Sequence, residues 1–245
     1  SPDDPQDKPE DPYSTVQESI SNIYDNFGDC DKVHYFLTAE LYPALKFIID
    51  TDSNLDKFLI DNNIIPVLCE FLNQPHTPTC KIVLNLLVRI ARKTPLITQI
   101  SKDCWIKLLI QYTRSPDFLT PIATILLYAI DIDADFVLSL VLNPFDETVF
   151  TTGEDQQTPV VNEQRYFIFS KIIDMASFVT SDPYLNSDVL TLIYIIFSHM
   201  TFADDSIILT FEDSHTQTIP YPNEVIFGIK NKLLDLIRVG LLFLP

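Results

Sequence analysis

One stretch of the chain concentrates side chains that could bind an anion. Between Lys81 and Arg114 lie seven of the sixteen basic residues and a single acidic one, Asp103. On a helical wheel, the segment 79–93 has one narrow polar stripe opposite a wholly apolar arc. The stripe consists of Lys81, Asn85, Val88 and Arg92, with Arg89 beside it. Ammonium and guanidinium groups in such a row pair with carboxylates and phosphates, which predicts a site for an acidic peptide or a phosphorylated segment. The alternative is an ordinary solvated helix face.

The residues that could support catalysis or bind a metal do not form a known motif. The chain has none of the patterns GxSxG, HExxH, GxGxxG or the P-loop. Its acidic pairs, such as Asp204-Asp205, are too common in this composition to indicate acid/base chemistry. The histidines form no zinc-ligand motif with cysteines or carboxylates; they are His34, His76, His199 and His215. We therefore predict a protein that is not an enzyme and binds no cofactor or metal.

Glycine and proline usage favours a helical fold. Only four of 245 residues are glycine, whereas 17 are proline and 47% are hydrophobic. Sandwiches, barrels and nucleotide-binding folds need glycine for tight turns and for close approach to phosphates. The prolines fall mostly between periodic segments, where they end helices. The composition predicts helices joined by Asn, Asp and Pro turns.

The formal charge of −18, from 34 acidic and 16 basic residues, restricts the partners that we expect. Nucleic acids and anionic membrane surfaces attract proteins with a basic field, so we predict neither as a partner. The charge serves solubility or, alternatively, offers an acidic surface to a basic partner.

Cysteine placement and the apolar runs indicate the compartment. Cys69, Cys80 and Cys104 lie among apolar neighbours on predicted helices, as buried thiols do in a reducing environment. Residues 1–12 are acidic and proline-rich, which is typical of a disordered tail and not of a signal or transit peptide. The longest apolar stretch, residues 189–197, is too short to span a bilayer. We expect a cytoplasmic protein, with the nucleus as the alternative.

Apolar periodicity predicts helices at residues 13–27 and 32–50, and Pro43 should split or kink the second one. Two copies of one unit follow. The first has a short helix at 54–61, a medium one at 64–72 and a long one at 79–93. The second has them at 95–101, 103–113 and 117–130. A shift of 39 residues superimposes the apolar positions of the two long helices: Val83, Leu86, Leu87 and Ile90 fall on Ile122, Ile125, Leu126 and Ala129.

Residues 54–131 resemble the armadillo family of helical repeats. The segment NNIIPVLCEFL from Asn62 to Leu72 is similar to that family's second helix, and IVLNLLVRIA from Ile82 to Ala91 is similar to its third. The resemblance implies an all-α, right-handed α-solenoid whose long helices line a concave groove. It also implies a partner-binding groove that contains Lys81, Asn85, Arg89, Arg92, Thr124, Tyr128 and Lys171. Here the chain turns on Asn62-Asn63, where the family usually has glycine.

The pattern is looser after residue 131. We predict a helix at 135–142, an acidic insertion at 143–163, a helix at 164–179, and a strongly apolar helix at 184–202. A loop or hairpin at 204–222 and a last helix at 223–244 complete a single domain, 13–245. This organisation predicts a scaffold or adaptor that binds a protein or peptide through its long helices. The alternative is a structural subunit of a larger assembly, held through the 143–163 insertion and the C-terminal helix.

Overall fold

The protein is mostly helical, as predicted, with a small antiparallel sheet near its C-terminal end. The computed structural model describes residues 11–95, 104–105, 108, 116–142, 144–145, 166–167, 173 and 187–238. The chain divides into two compact units, Ser1–Gln111 and Tyr112–Pro245. The predicted single domain at 13–245 stays a prediction.

The first unit is built from helices that follow the predicted boundaries closely. They are α1 (Pro12–Asp25), α2 (Cys30–Phe36), a π-helical segment (Leu37–Leu41), α3 (Tyr42–Thr51), α4 (Leu55–Asp61), α5 (Ile64–Phe71) and α6 (Thr77–Lys93). Asp11 caps α1 by accepting a hydrogen bond from the Tyr13 amide, 3.2 Å away. Residues 11 and 12 therefore belong to a helix start, whereas the predicted tail included them.

The π-helical segment accommodates Pro43 without ending the helix. Proline has no N–H to donate, so an α-helical hydrogen bond to the carbonyl of Ala39 cannot form. The Tyr42 amide instead donates to the carbonyl of Leu37, five residues earlier. This wider turn lets the helix continue through the proline, and Leu37 and Leu41 remain fully buried. The predicted split or kink is thus a local change in helix type.

α1 lies alongside the α4–α5 segment, and the two run in the same direction. The Tyr13 ring packs edge-on against Phe58 with 5.3 Å between centroids. Further along, Gln17 Nε2 donates to Asn62 Oδ1 at 3.1 Å, and the Tyr24 hydroxyl donates to Glu70. These two pairs are separated by 45 and 46 residues in sequence. A nearly constant separation means that both segments advance together, as equivalent parts of two stacked copies do.

The α2–α3 segment lies alongside α6, and these two segments also run in the same direction. The rings of His34 and His76 meet edge-on with centroids 5.0 Å apart, and the Arg89 side chain contacts Asp50. Residues 11–95 of the first unit therefore form two layers, α1–α3 and α4–α6, with their longest helical segments side by side.

The core of the first unit includes side chains from both layers. From α6 it includes Val83, Leu86, Leu87 and Ile90, all with no exposed surface. Each such side chain contributes about 1.5–3 kcal/mol through burial.

Asn63 makes the turn between α4 and α5 with φ of 52° and ψ of 35°, the left-handed conformation that asparagine tolerates better than most residues.

The second unit contains helices and strands. The elements among its described residues are a 3₁₀ turn (Pro116–Phe118), α7 (Leu119–Ile132), α8 (Ala134–Leu142), β1 (Pro144–Phe145), β2 (Tyr166–Phe167), α9 (Ser187–Ser198), β3 (Met200–Phe202), β4 (Ser206–Thr210), β5 (Thr216–Pro220) and α10 (Asn223–Arg238). α7 packs against both α8 and α9. β1 and β2 pair antiparallel.

The three-stranded sheet β3-β4-β5 is a small exception in a chain that is otherwise broadly all-α, as predicted. β3 pairs with β4, and β4 with β5, both antiparallel, with Ile207 opposite Ile219. β4 and β5 lie within the predicted loop or hairpin at 204–222, but β3 was predicted as the end of a helix. The helix ends at Ser198 because residues 200–202 find cross-strand partners in β4, and such pairing outweighs the helical pattern of a short apolar run.

Several predicted segments lie wholly or mainly outside the described residues. They are the two shorter helices at 95–101 and 103–113, the helix at 164–179, most of the 143–163 insertion, residues 1–10 of the tail and the end of the last helix after 238.

Candidate functional site

α6 presents one polar face to solvent. Lys81, Asn85 and Arg92 are exposed and Arg89 is partly exposed; we call these four residues the α6 stripe. Val88, predicted within the stripe, is only 9% exposed and belongs to the packed side of the helix. The stripe is therefore narrower than the helical wheel predicts, and its exposed members are polar.

The sequence of α6 explains why it is a regular helix with a cationic end. Pro78 stands in the first turn, where no backbone N–H is needed. Arg92 and Lys93 stand in the last turn, where their charges complement the carbonyl end of the helix dipole. The helix contains four basic residues and no acidic one.

Arg89 of the α6 stripe contacts the neighbouring layer. Its Nη1 donates to both carboxylate oxygens of Asp50 on α3, at 3.3 Å each. The two side chains are 33% and 41% exposed. Asp50 is the partner of the Arg89 side chain within the described residues. Since a guanidinium carries five N–H donors, its other nitrogens can still receive an anion.

The exposed face of α3 continues this surface. Pro43, Lys46, Phe47 and Asp50 are all exposed, and they recur at three- and four-residue intervals, so they share one side of the helix. Phe47 is 56% exposed, which is unusual for a side chain of its size. The surface therefore combines cations from α6 with an aromatic ring and a carboxylate from α3.

A cleft of about 520 Å³ lies where α3 ends and α4 begins, and Lys93 also lines it. Its ionisable lining residues are Asp50, Asp52, Asp56, Lys57 and Lys93. Asp52 accepts hydrogen bonds from the Asn54 amide at 2.7 Å and from the Tyr13 hydroxyl at 3.1 Å. The bond to Asp52, with some burial, raises the pKa of Tyr13. With three carboxylates and two ammonium groups, the cleft does not attract anions as the stripe does.

The other three predicted groove residues, Thr124, Tyr128 and Lys171, are not part of α6. Thr124 on α7 is only 8% exposed, and its hydroxyl lies within hydrogen-bond distance of two acceptors, the Thr120 carbonyl at 2.9 Å and the Asp188 carboxylate on α9. Tyr128, also on α7, is 36% exposed. Both residues are in the second unit, and Lys171 lies outside the described residues. The structure brings together the four predicted residues of α6, and the wider groove stays a prediction.

Sequence reasoning missed Asp50 and Phe47 as parts of this surface. No sequence signal identified Asp50 as part of the site, because the apolar period of α3 marks it only as a surface residue. None identified Phe47 either, because an apolar residue in an apolar helix is normally assigned to the core.

Over the part of the chain that the structure describes, no group of three or more His, Cys, Asp or Glu side chains is arranged to hold a metal ion. No helix within those same residues combines the length and the apolar character needed to cross a membrane.

In comparisons with known proteins, no family model, curated protein or solved structure matches the chain.

Proposed function

We propose that this chain is a non-enzymatic protein-binding module that takes an acidic segment of a partner protein on the α6 stripe. The supporting observation is that α6 exposes Lys81, Arg89 and Arg92 along one face and contains no acidic residue, in a chain of net charge −18. Arginine pairs with carboxylates and phosphates through two parallel hydrogen bonds, which makes such a row suited to an acidic or phosphorylated segment.

The stacking of the first unit supports an armadillo-like arrangement for this module. α4, α5 and α6 are a short, a medium and a long helix, and the preceding layer aligns with them at separations of 39 to 47 residues. In this proposal the layers are those of a right-handed solenoid, and the α2–α3 segment and α6 line one groove.

Charge reversal on the stripe tests the proposal. The probe is a fluorescein-labelled hexaglutamate peptide, with hexaglutamine as the neutral comparison, and binding to the full chain is followed by fluorescence anisotropy. We expect the wild type to bind hexaglutamate and not hexaglutamine. The double variant Arg89→Glu/Arg92→Glu should bind it at least about tenfold more weakly, a difference of about 1.4 kcal/mol.

A matched control separates a site from overall charge. The double variant Lys32→Glu/Arg238→Glu makes the same change in net charge, and both residues form ion pairs only within or beside their own helices among the described residues. This variant should bind hexaglutamate within about twofold of the wild type. If it weakens binding as much as the stripe variant, or if the wild type does not distinguish the two peptides, the proposed function is wrong.

A second candidate, a structural subunit of a larger assembly, is favoured by one feature of α10. Phe227 and Leu234 are 66% and 48% exposed. They are seven positions apart, so they lie on one side of the helix, as residues of a buried interface do. This candidate predicts that the isolated chain self-associates and that Phe227→Asp reduces the association. A wild-type chain that sediments as a single monomeric species would contradict it.

A further inference from the structure

The ion pair between Arg89 and Asp50 has a consequence for the proposed function, on which this inference rests. A partner's carboxylate or phosphate that approaches Arg89 meets a guanidinium whose charge is already offset by a neighbouring carboxylate. We propose that Asp50 is a built-in competitor that lowers the affinity of the α6 stripe for acidic segments, so that only partners able to displace or outweigh it are retained.

The geometry of the pair favours competition over positioning. A carboxylate that holds an arginine firmly in place usually engages two guanidinium nitrogens through two parallel bonds. Here a single nitrogen, Nη1, is shared between both oxygens of Asp50, and both distances are 3.3 Å, longer than the usual range for such bonds. Both side chains are also substantially exposed, so water screens their attraction. An approaching anion can therefore open the pair easily.

The direction of approach is also set by this contact. Since Asp50 occupies Nη1, the edge formed by Nε and Nη2 is left for the incoming anion, and among the described residues no side chain bonds to that edge. A ligand bound there would sit close to the Asp50 carboxylate, and like charges repel at such short range. Removal of the negative charge at position 50 should therefore strengthen binding.

The test uses the hexaglutamate probe with four versions of the full chain: the wild type, Asp50→Asn, Arg89→Gln and the double variant. We expect Asp50→Asn to bind about three- to tenfold more tightly than the wild type, as expected for the loss of one nearby charge. In the Arg89→Gln background the same substitution should change affinity by less than about twofold, because the contested cation is gone. Asp61→Asn, an exposed carboxylate of α4, is the matched control and should also change affinity by less than about twofold.

The outcomes separate this inference from the proposed function. If the wild type binds hexaglutamate but Asp50→Asn binds equally or more weakly, Asp50 is not a competitor and the inference alone is wrong. A gain that persists in the Arg89→Gln background, or that Asp61→Asn reproduces, reflects overall charge and also overturns the inference. If the wild type does not distinguish hexaglutamate from hexaglutamine, the proposed function fails and the inference fails with it.

Discussion

Arg89 on α6 contacts Asp50 on α3 across a sequence separation of 39 residues, and this contact joins the two layers of the first unit. α3 and α6 pack against each other, so the exposed face of α3 adjoins the α6 stripe at this pair. The first layer contributes the acidic side chain of the contact and the second layer contributes the basic one.

The stability of the first unit should depend little on this pair. Because both side chains are exposed, Arg89→Gln should lower the free energy of unfolding by no more than about 1 kcal/mol. Urea denaturation of the two proteins measures the difference. A loss of several kcal/mol would mean that the pair is structural, and that changes in binding by Arg89 variants reflect misfolding.

The turn at Asn63 should be sensitive to the residue type. Its positive φ places the Cβ atom close to the backbone, which costs a β-branched residue the most and glycine nothing. Asn63→Val should destabilise the protein by at least about 1–2 kcal/mol, whereas Asn63→Gly should be neutral or slightly stabilising. Thermal unfolding of the two variants compares them directly. Equal melting temperatures would contradict the left-handed turn.

The hydroxyl of Thr79 should stabilise the contact between the layers. Thr79 has no exposed surface, and its Oγ1 lies 2.9 Å from His76 Nδ1 and 3.5 Å from His34 Nδ1. Thr79→Val keeps the shape but removes these bonds, so it should cost about 1–2 kcal/mol of unfolding free energy. The control Thr77→Val, at an exposed position of the same helix, should stay within about 0.5 kcal/mol of the wild type. If both variants are equally stable, the hydroxyl does not join the layers.

Tyr24 should make stability depend on pH in the alkaline range. Burial, followed by the hydrogen bond to Glu70, raises the pKa of Tyr24 to about 12. Because the folded state binds the proton more tightly than the unfolded state, this contribution is fully present below about pH 10 and is lost as the pH rises towards 12. Between about pH 9 and about pH 11, the wild type should lose more unfolding free energy than Tyr24→Phe.

Glu70→Gln supplies the control for that comparison. It removes the carboxylate that accepts the Tyr24 hydrogen bond but leaves the burial of the ring in place, so its pH dependence should fall between those of the other two proteins. Identical slopes for the wild type and Tyr24→Phe would show that the tyrosine does not titrate abnormally.

The helices of the first unit could be predicted because their signals are local. Asn54, Asn63 and Pro78 mark helix starts within a few residues of the observed ones, and the apolar spacing between them identifies the buried sides. β3 could not be predicted in this way. Residues 200–202 continue an apolar run, and only their partners in β4, several residues later, decide that they form a strand.

The candidate site was predictable only in part, for the same reason. The cations of α6 follow from the helical period, which applies to each helix by itself. Val88 is buried and Thr124 bonds to Asp188 because of neighbouring helices that the period of their own helix does not reveal. Asp50 belongs to the site because its carboxylate contacts Arg89 of the next layer, and the period of α3 alone does not reveal that contact.

The proposed binding site on α6 is tested most directly by mapping where an acidic segment binds. Amide chemical shifts of the isotope-labelled full chain can be followed by NMR as hexaglutamate is added, with hexaglutamine as the comparison. If the α6 stripe is the site, the largest changes will occur at residues 81–93 and around Asp50, and hexaglutamine will leave them unchanged. Absence of any change with hexaglutamate, or changes centred on the second unit and not on α6, would contradict the proposal.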